Sequence, residues 1–573
     1  MYIFHLFRTF VPLRNPIGFG AADFIELALT ALLVLFALGS RPRIEAIARK
    51  LAAKTVWCML ALAALPIALR LALIPQYPVP SPGVSDDFSY LLLADTIRRL
   101  RLANPPHLFS RFFETFFVLH QPTYSSIFPL GQGLAIALGW TLFGHPWAGV
   151  ALSVGAFCAL CYWMLRAWTT PGWALLGGLA AVIEFGPLNQ WMNSYWGGAV
   201  SACAGCLVFG SLPRLRSDAP RRAAVLLGLG IGIQLLSRPY EAIFLALSVI
   251  LFLAPALRRP NELRRLATLA PIAVLAALPA VGLMLLQNRA VTGSFAAMPY
   301  MLSRYQYGVP TTFTIQPNPT PHRELTREQE LDYEAQSAVH GQSADTWASF
   351  WERWASRVRF YRFFLLAPLY LALPFFLLLL RQYQFGWVLV SIFVFSLGTN
   401  IYPYFYSHYV AALACLFVLL SVKGLERLSR VDIRGLACGQ HAARLILFLC
   451  GAHFLFWYGM HASRYEELRA AMAPYETWDA INHGDEDGRI AVNQHLSEAP
   501  GRQLVFVRYW PRHTFDEWVH NAADIDGARV VWARDLGDAE DEKLLKYYSG
   551  RKAWLLEPDF HPPRLTPYQS ASR

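Results

Sequence analysis

The feature that most constrains this chain is a series of apolar runs, each long enough to cross a bilayer, joined by short loops that alternate between basic and nearly uncharged. A hydrocarbon core of roughly 30 Å takes about 20 mostly apolar residues per helix. Without water to satisfy the backbone, only helices or closed barrels can span it. Candidate spans fall at 22–39, 55–74, 147–166, 172–187, 196–213, 222–237, 240–257, 266–287, 361–380, 384–400, 408–422 and 441–460. Composition agrees. Of 573 residues, 55% are hydrophobic and 16% charged, against about a quarter charged in an ordinary soluble domain. The expected fold class is an all-α polytopic membrane protein with about twelve transmembrane helices. Disordered chains, collagens and small disulfide scaffolds are excluded.

The net charge of +11 has a location. Short loops carry Arg41, Arg43, Arg49, Lys50 and Lys54, then Arg166, then Arg214, Arg216, Arg221 and Arg222. Others carry Arg258, Arg259, Arg264 and Arg265, then Arg381, then Lys423, Arg427, Arg430 and Arg434. The opposite loops, around 188–195, 238–239 and 401–407, hold one cation between them, Arg238. Basic loops mark the cytoplasmic side, so segments 75–146 and 288–360 and the C-terminus are expected outside. The charge sets orientation, and no nucleic-acid partner is expected. Residues 126–143 are apolar too, but a full crossing there would invert every later loop. They are read as a helix that dips into the outer interface and returns, its backbone buried in protein. Residues 1–21 show no clear cleavage site, so the first run is expected to stay as a span with the N-terminus outside.

Composition changes after residue 460. Residues 1–460 form the transmembrane domain, and 461–573 are charged and lack a spanning run. Strands at Gln503–Tyr509, Arg529–Ala533 and Ala553–Glu557, with helices at 514–523 and 538–548, predict a small parallel α/β domain outside the membrane. No nucleotide loop, zinc spacing or hydrolase elbow is visible there. His513, Asn521, Asp524, Asp526, Arg534 and Asp535 read as solvated surface or as acceptor recognition. The eight cysteines, including the CxxC pairs Cys158/Cys161 and Cys203/Cys206, read as small packing residues of apolar helices.

The first outer segment concentrates the polar residues. Ser85-Asp86-Asp87-Phe88 opens an amphipathic helix, 88–103, just after the second span. Ser85 is the expected N-cap, and acids suit the positive start of a helix. Capping alone accounts for such a pair. Adjacent carboxylates at a membrane surface also suit a divalent cation or a general base. A second helix, 108–119, places Glu114 among Phe112, Phe113, Phe116 and Phe117. Burial of that acid calls for a metal or arginine partner. His120 through Gly133 then form a turn-rich lead into the dipping helix.

A two-carboxylate motif in the first outer loop, interfacial helices, and Tyr124 followed by Pro129-Leu130-Gly131-Gln132-Gly133 together resemble the GT-C glycosyltransferases. The likeness is to the bacterial relatives of protein O-mannosyltransferases and of the lipid A aminoarabinose transferase. The resemblance implies a bacterial inner-membrane enzyme that takes a sugar from a polyprenyl-phosphate donor. It would pass the sugar to the hydroxyl of a glycan, lipid or protein acceptor on the outer face, with the C-terminal domain periplasmic. Asp86 or Asp87 would match the catalytic loop-one acid and Glu114 a second. Asp87 and Glu114 would hold magnesium or manganese where a metal is used, and Gln121 and Tyr124 would lie near the donor phosphate. Many relatives carry a lysine before the prolines, where Ile127 stands here. Arg238 is the substitute, since its planar fork suits phosphate. A structural pair with Glu241 or a snorkelling side chain is the alternative. Asn193, Tyr195 and Trp196 suit sugar hydroxyls and faces, or an aromatic interfacial belt. His408 is placed to touch the carrier phosphate. Segment 288–360, helical from Thr326 to about Val339, would cover the acceptor site. The rival function is a transporter or flippase of a lipid-linked substrate, for which the in-span Glu184 speaks. A non-catalytic assembly protein is the third reading.

Overall fold

The computed structural model describes residues 21–217, 219–341, 345–472, 478, 488–513 and 516–569. The expectation for the N-terminus falls on residues 1–20 and lies outside them. The chain is predominantly helical. In order the main helices are α1 (Ala21–Ala53), α2 (Thr55–Ala72), α3 (Ser85–Arg98), α4 (Leu130–Phe143), α5 (Trp147–Leu165) and α6 (Pro171–Phe185). These are followed by α7 (Ala199–Arg214), α8 (Pro220–Ser237), α9 (Pro239–Leu253), α10 (Pro260–Thr292), α11 (Pro299–Tyr307) and α12 (Arg327–His340). Then come α13 (Trp347–Arg357), α14 (Tyr383–Thr399), α15 (Ala414–Leu428) and α16 (Cys438–Ala462), with α17 (Arg489–Glu498) and α18 (Asp538–Tyr547) beyond the bundle.

Among the described residues six helices are long and apolar enough to cross a membrane, or seven if one bent pair counts as a span. The chain is a multi-pass membrane protein. About twelve was the expectation, and the difference has causes. Three of the expected spans fall on short apolar helices, α6, α7 and α14. The expected span 361–380 is not one helix. A bend of 106° falls near its start, between Trp347–Phe364 and Ala367–Leu377, where Pro368 removes a backbone donor and crowds the preceding turn. The bundle packs through small residues. A Cβ added at Gly205 would stand 1.9 Å from the Ala412 carbonyl oxygen, and one at Gly139 would stand 2.0 Å from the Gly149 nitrogen. Such close approach is how apolar helices gain contact in lipid. Cys158, Cys161, Cys203, Cys206 and Cys415 are buried in this core as free thiols.

The bundle has two chemically different ends. Arg214 donates to the Trp163 carbonyl, Arg216 pairs with Glu262, and Glu426 holds Lys423 and Arg430, so the basic loops gather at one end. Helix α8 starts there and reaches Arg238 at the other end, and α9 starts beside Arg238 and returns. Helix α4 behaves differently. Its first turn meets Ser237 and donates from Gln132 to the Tyr195 carbonyl at 2.8 Å. Four residues past its end, Trp147 donates to the Met192 carbonyl at 2.8 Å. Both ends of α4 therefore lie at the Arg238 end.

After the bundle, β3 (Arg502–Val507) pairs in parallel with both β4 (Val530–Arg534) and β5 (Arg551–Glu557). A fourth strand, β6 (Arg564–Pro567), runs antiparallel on the β5 edge, so the order is β4-β3-β5-β6. Helix α17 and strand β6 were not expected. The expected helix 514–523 is replaced over 516–522 by irregular chain. There the Val519 amide donates to Glu517 at 2.8 Å and the Trp518 amide to the Tyr509 hydroxyl at 2.8 Å. Side chains take the donors that a helical ladder would use.

Candidate active site

Helix α3 positions the acid pair. Ser85 is not its N-cap; Val84 holds that place without a side-chain bond, leaving Asp86 and Asp87 in the first turn. The two carboxylates differ. Asp87 is buried and accepts from the Tyr195 amide at 2.8 Å and the Gly83 amide at 3.2 Å. Burial pushes its pKa up to about 6, with those amides and Arg489 pulling the other way. Arg489, the first residue of α17, donates to the Gly83 carbonyl at 3.2 Å and stacks on Trp518 at 4.2 Å. Asp87 thus ties α3 to the turn 188–195, with the C-terminal domain alongside.

Asp86 makes no hydrogen bond or ion pair to another described residue. Burial, then the charge of Asp87, pushes its pKa up to about 7; Arg238 opposes the rise and Asp332 adds to it. Arg238 sits in the break between α8 and α9 with extended backbone, φ −146° and ψ 81°. Its guanidinium lies 4.7 Å over the Tyr409 ring. Arg238 and Glu241 make no direct hydrogen bond or ion pair, yet the Glu241 charge acts on the guanidinium ahead of that of Asp86. The guanidinium keeps its donors free among the described residues. Trp196 stands edge-on to His408 at 4.6 Å. Trp196 Nε1, His408 Nδ1 and Ser237 Oγ are buried without a partner. Unpartnered polar atoms are rare in protein interiors, and three of them stand around one arginine.

The aromatic turn 402–409 is held by Arg357, which donates to the carbonyls of Thr399 at 2.9 Å, Tyr402 at 2.5 Å and Pro403 at 2.7 Å. Segment 288–360 contributes a wall. Thr326 and Gln329 form a capping box at the start of α12. Gln329, Asp332 and Gln336, three and four residues apart, are all buried on one face. Asp332 accepts from Gln336 at 3.1 Å, and burial pushes its pKa up to about 7.

Other expected residues have different work. Asn193 accepts from Arg70 at 2.7 Å and donates to the carbonyls of Pro187 and Asn189, so it braces its own turn. Tyr195 donates its hydroxyl to the Pro80 carbonyl at 2.9 Å. Tyr124 donates to the Asn521 carbonyl at 3.0 Å, which makes it a contact to the C-terminal domain. The backbone carbonyl of Gln121 accepts from Gln306 at 2.9 Å.

Glu114 does not lie on a helix 108–119. It follows a short 3₁₀ turn, Ser110–Phe113, ahead of the two-residue strands β1 (Val118–Leu119) and β2 (Ser125–Ser126). Its carboxylate is engaged by Arg323, the Tyr307 hydroxyl at 3.1 Å and the Gln329 amide at 3.2 Å. Its backbone carbonyl accepts from Arg534 at 2.6 Å, and Arg534 also pairs with Glu328 at 2.5 Å. The arginine partner expected for a buried Glu114 is Arg323. Next to it His120 is buried, which pushes its pKa down to about 4. Asp87 and Glu114, the expected metal pair, have separate sets of hydrogen-bond partners. No group of three or more His, Cys, Asp or Glu side chains among the described residues is placed to hold an ion.

Asp332, Arg323, Gln329, Arg357 and Arg489 were not anticipated. A signal existed for two, Gln329 and Asp332. Thr326-x-x-Gln329 is a helix-start signature, and the polar stripe it begins marks an inward face.

No family model matches the sequence, and no curated protein does. Among solved structures the chain is similar to ArnT from Cupriavidus metallidurans in the apo state, at 12% identity and a TM-score of 0.48 over 88% of this chain and 93% of that one. The same protein bound to undecaprenyl phosphate gives 13% identity and 0.47 over the same shares. The Archaeoglobus fulgidus oligosaccharyltransferase in complex with zinc and sulfate gives 11% and 0.42, over 87% of this chain and 67% of that one.

Proposed function

We propose that this chain is an integral-membrane glycosyltransferase of the GT-C type, moving a sugar from a polyprenyl-phosphate donor to an acceptor hydroxyl. One observation carries the reading: Asp86, a carboxylate without a hydrogen-bonding partner among the described residues, lies within electrostatic reach of Arg238, whose guanidinium makes no side-chain hydrogen bond, at the bundle end opposite the basic loops. A general base needs a free carboxylate with a pKa near the working pH. Asp86 meets both conditions. In the step, the acceptor oxygen forms a bond to the anomeric carbon as its proton passes to Asp86, and the anomeric C–O bond to phosphate breaks. The leaving phosphate carries its charge toward Arg238, whose fork accommodates two oxygens. Trp196 and Ser237 supply further donors. Asp87 is then a positioning residue, since its oxygens already hold Tyr195 and Gly83.

The transporter reading is weaker here because the free charges gather at one bundle end rather than at mid-span. The site belongs on the outer face of a bacterial inner membrane, with the C-terminal domain in the periplasm. This rests on the basic loops at the far end. A reporter active only in the cytoplasm and fused after Arg573 stays silent on this reading, and strong signal overturns the orientation. The activity test incubates purified protein with polyprenyl-phosphate sugars and follows carrier release. Release by the wild type and its loss in Asp86→Asn support the mechanism, whereas equal release by both sinks it.

A further inference from the structure

We propose that the C-terminal domain carries a saccharide-binding platform at the carboxyl edge of its sheet, built on Trp510 and Phe560. In the order β4-β3-β5-β6, the chain leaves β3 toward β4 on one side. It leaves β5 toward β6 on the other. The connections diverge between β3 and β5, and ligands of open α/β sheets bind in that crevice, beyond the carboxyl ends of the strands. Two loops flank it here, 508–513 after β3 and 558–563 after β5. Asp559 pins them together, accepting from the Trp510 amide at 2.9 Å and meeting His513 Nδ1 at 2.7 Å.

What the loops present is aromatic. Trp510 is 52% exposed and Phe560 39% exposed, large values for such side chains. Their rings meet at 81° with centroids 5.5 Å apart, forming an open corner. Arg512 is exposed beside it with no partner among the described residues, and Arg564 lies 5.9 Å over the Phe560 ring. A phosphate or nucleotide would call for glycines or a helix N-terminus at this edge. Neither loop contains a glycine. A flat ring for the apolar face of a sugar, with guanidinium donors for its hydroxyls, is what the corner offers. A chain of contacts links it to the acid pair. A Cβ on Gly488 would stand 2.7 Å from Pro563, and the next residue, Arg489, holds Gly83 beside Asp87. Assigning the bound saccharide to the acceptor rests on the glycosyl-transfer reading; the binding itself does not.

The test uses the full-length protein in detergent on a printed array of bacterial glycans. The wild type should bind at least one glycan class above a detergent blank. Trp510→Ala and Phe560→Ala should each weaken that binding by about tenfold, and Trp510→Phe should restore most of it. Carrier release from the donor, measured separately with water as acceptor, should be unchanged in all three. Absence of wild-type binding overturns the platform, as does undiminished binding by the alanine variants. Glycan binding without any carrier release would keep the platform and remove the transferase reading.

Discussion

Replacing Asp86 with Asn should stabilise the protein at alkaline pH while abolishing its activity. The carboxyl rises from 3.8 to about 7 on folding. Three units correspond to about 4 kcal/mol between its two protonation states. Asp86 retains partial solvent contact, and screening brings the usable figure to about 2 kcal/mol. The sign follows from linkage: a folded pKa above the unfolded one means that the native state holds the proton more tightly. The stabilisation is complete below about pH 4 and is lost as pH rises through about 7. Asn cannot ionise and keeps it throughout. Thermal unfolding in detergent, followed by intrinsic fluorescence at several pH values, should give coincident midpoints for the two proteins near pH 4. The variant should be higher at pH 8, with its carrier release down about a hundredfold or more. Parallel curves, or a less stable variant at pH 8, would refute the reasoning and make Asp86 a structural acceptor.

Three further outcomes follow from the same geometry. Arg238→Ala should raise the KM for donor and move the alkaline rise of activity to higher pH, since Arg238 holds the Asp86 pKa down; an aggregated variant would point to folding instead. Asp332→Asn should move that rise to lower pH, since the charge of Asp332 raises Asp86, and an unmoved pH–rate profile would separate α12 from the site. Glu114→Ala should cost about 3 kcal/mol by leaving Arg323 beside an empty partner position, seen as faster proteolysis within 288–360; unchanged cleavage would count against the junction.

Span-length apolar runs, basic loops and the abrupt change after residue 460 made the membrane bundle and appended α/β unit readable, because bilayer thickness and backbone satisfaction leave few other solutions. Pro368 was visible, yet averaged hydropathy hid the break just before it, between Phe364 and Ala367. Asp86 and Arg238 stood out through local context, an acid pair after a span and a cation where cations are disfavoured. Their division of labour with Asp87 did not, because it depends on the Tyr195 amide, 108 residues away. Glu114 was read as a site acid because Arg323 lies 209 residues further on and nothing local announces the pairing. Long-range contacts of this kind leave no periodic trace.

The junction at Glu114 also orders events in time. Its carbonyl is held by Arg534, 420 residues later in the chain. Synthesis proceeds from the N-terminus, and domains form in that order. The bundle, with Asp86 and Arg238 in place, is therefore complete before the wall carried by α12 can be locked from behind. A nascent chain therefore carries an open site, and closure waits for the segment that supplies Arg534. Formation of β4 thereby becomes a checkpoint, and a chain cut short after α16 should occupy the membrane without becoming competent.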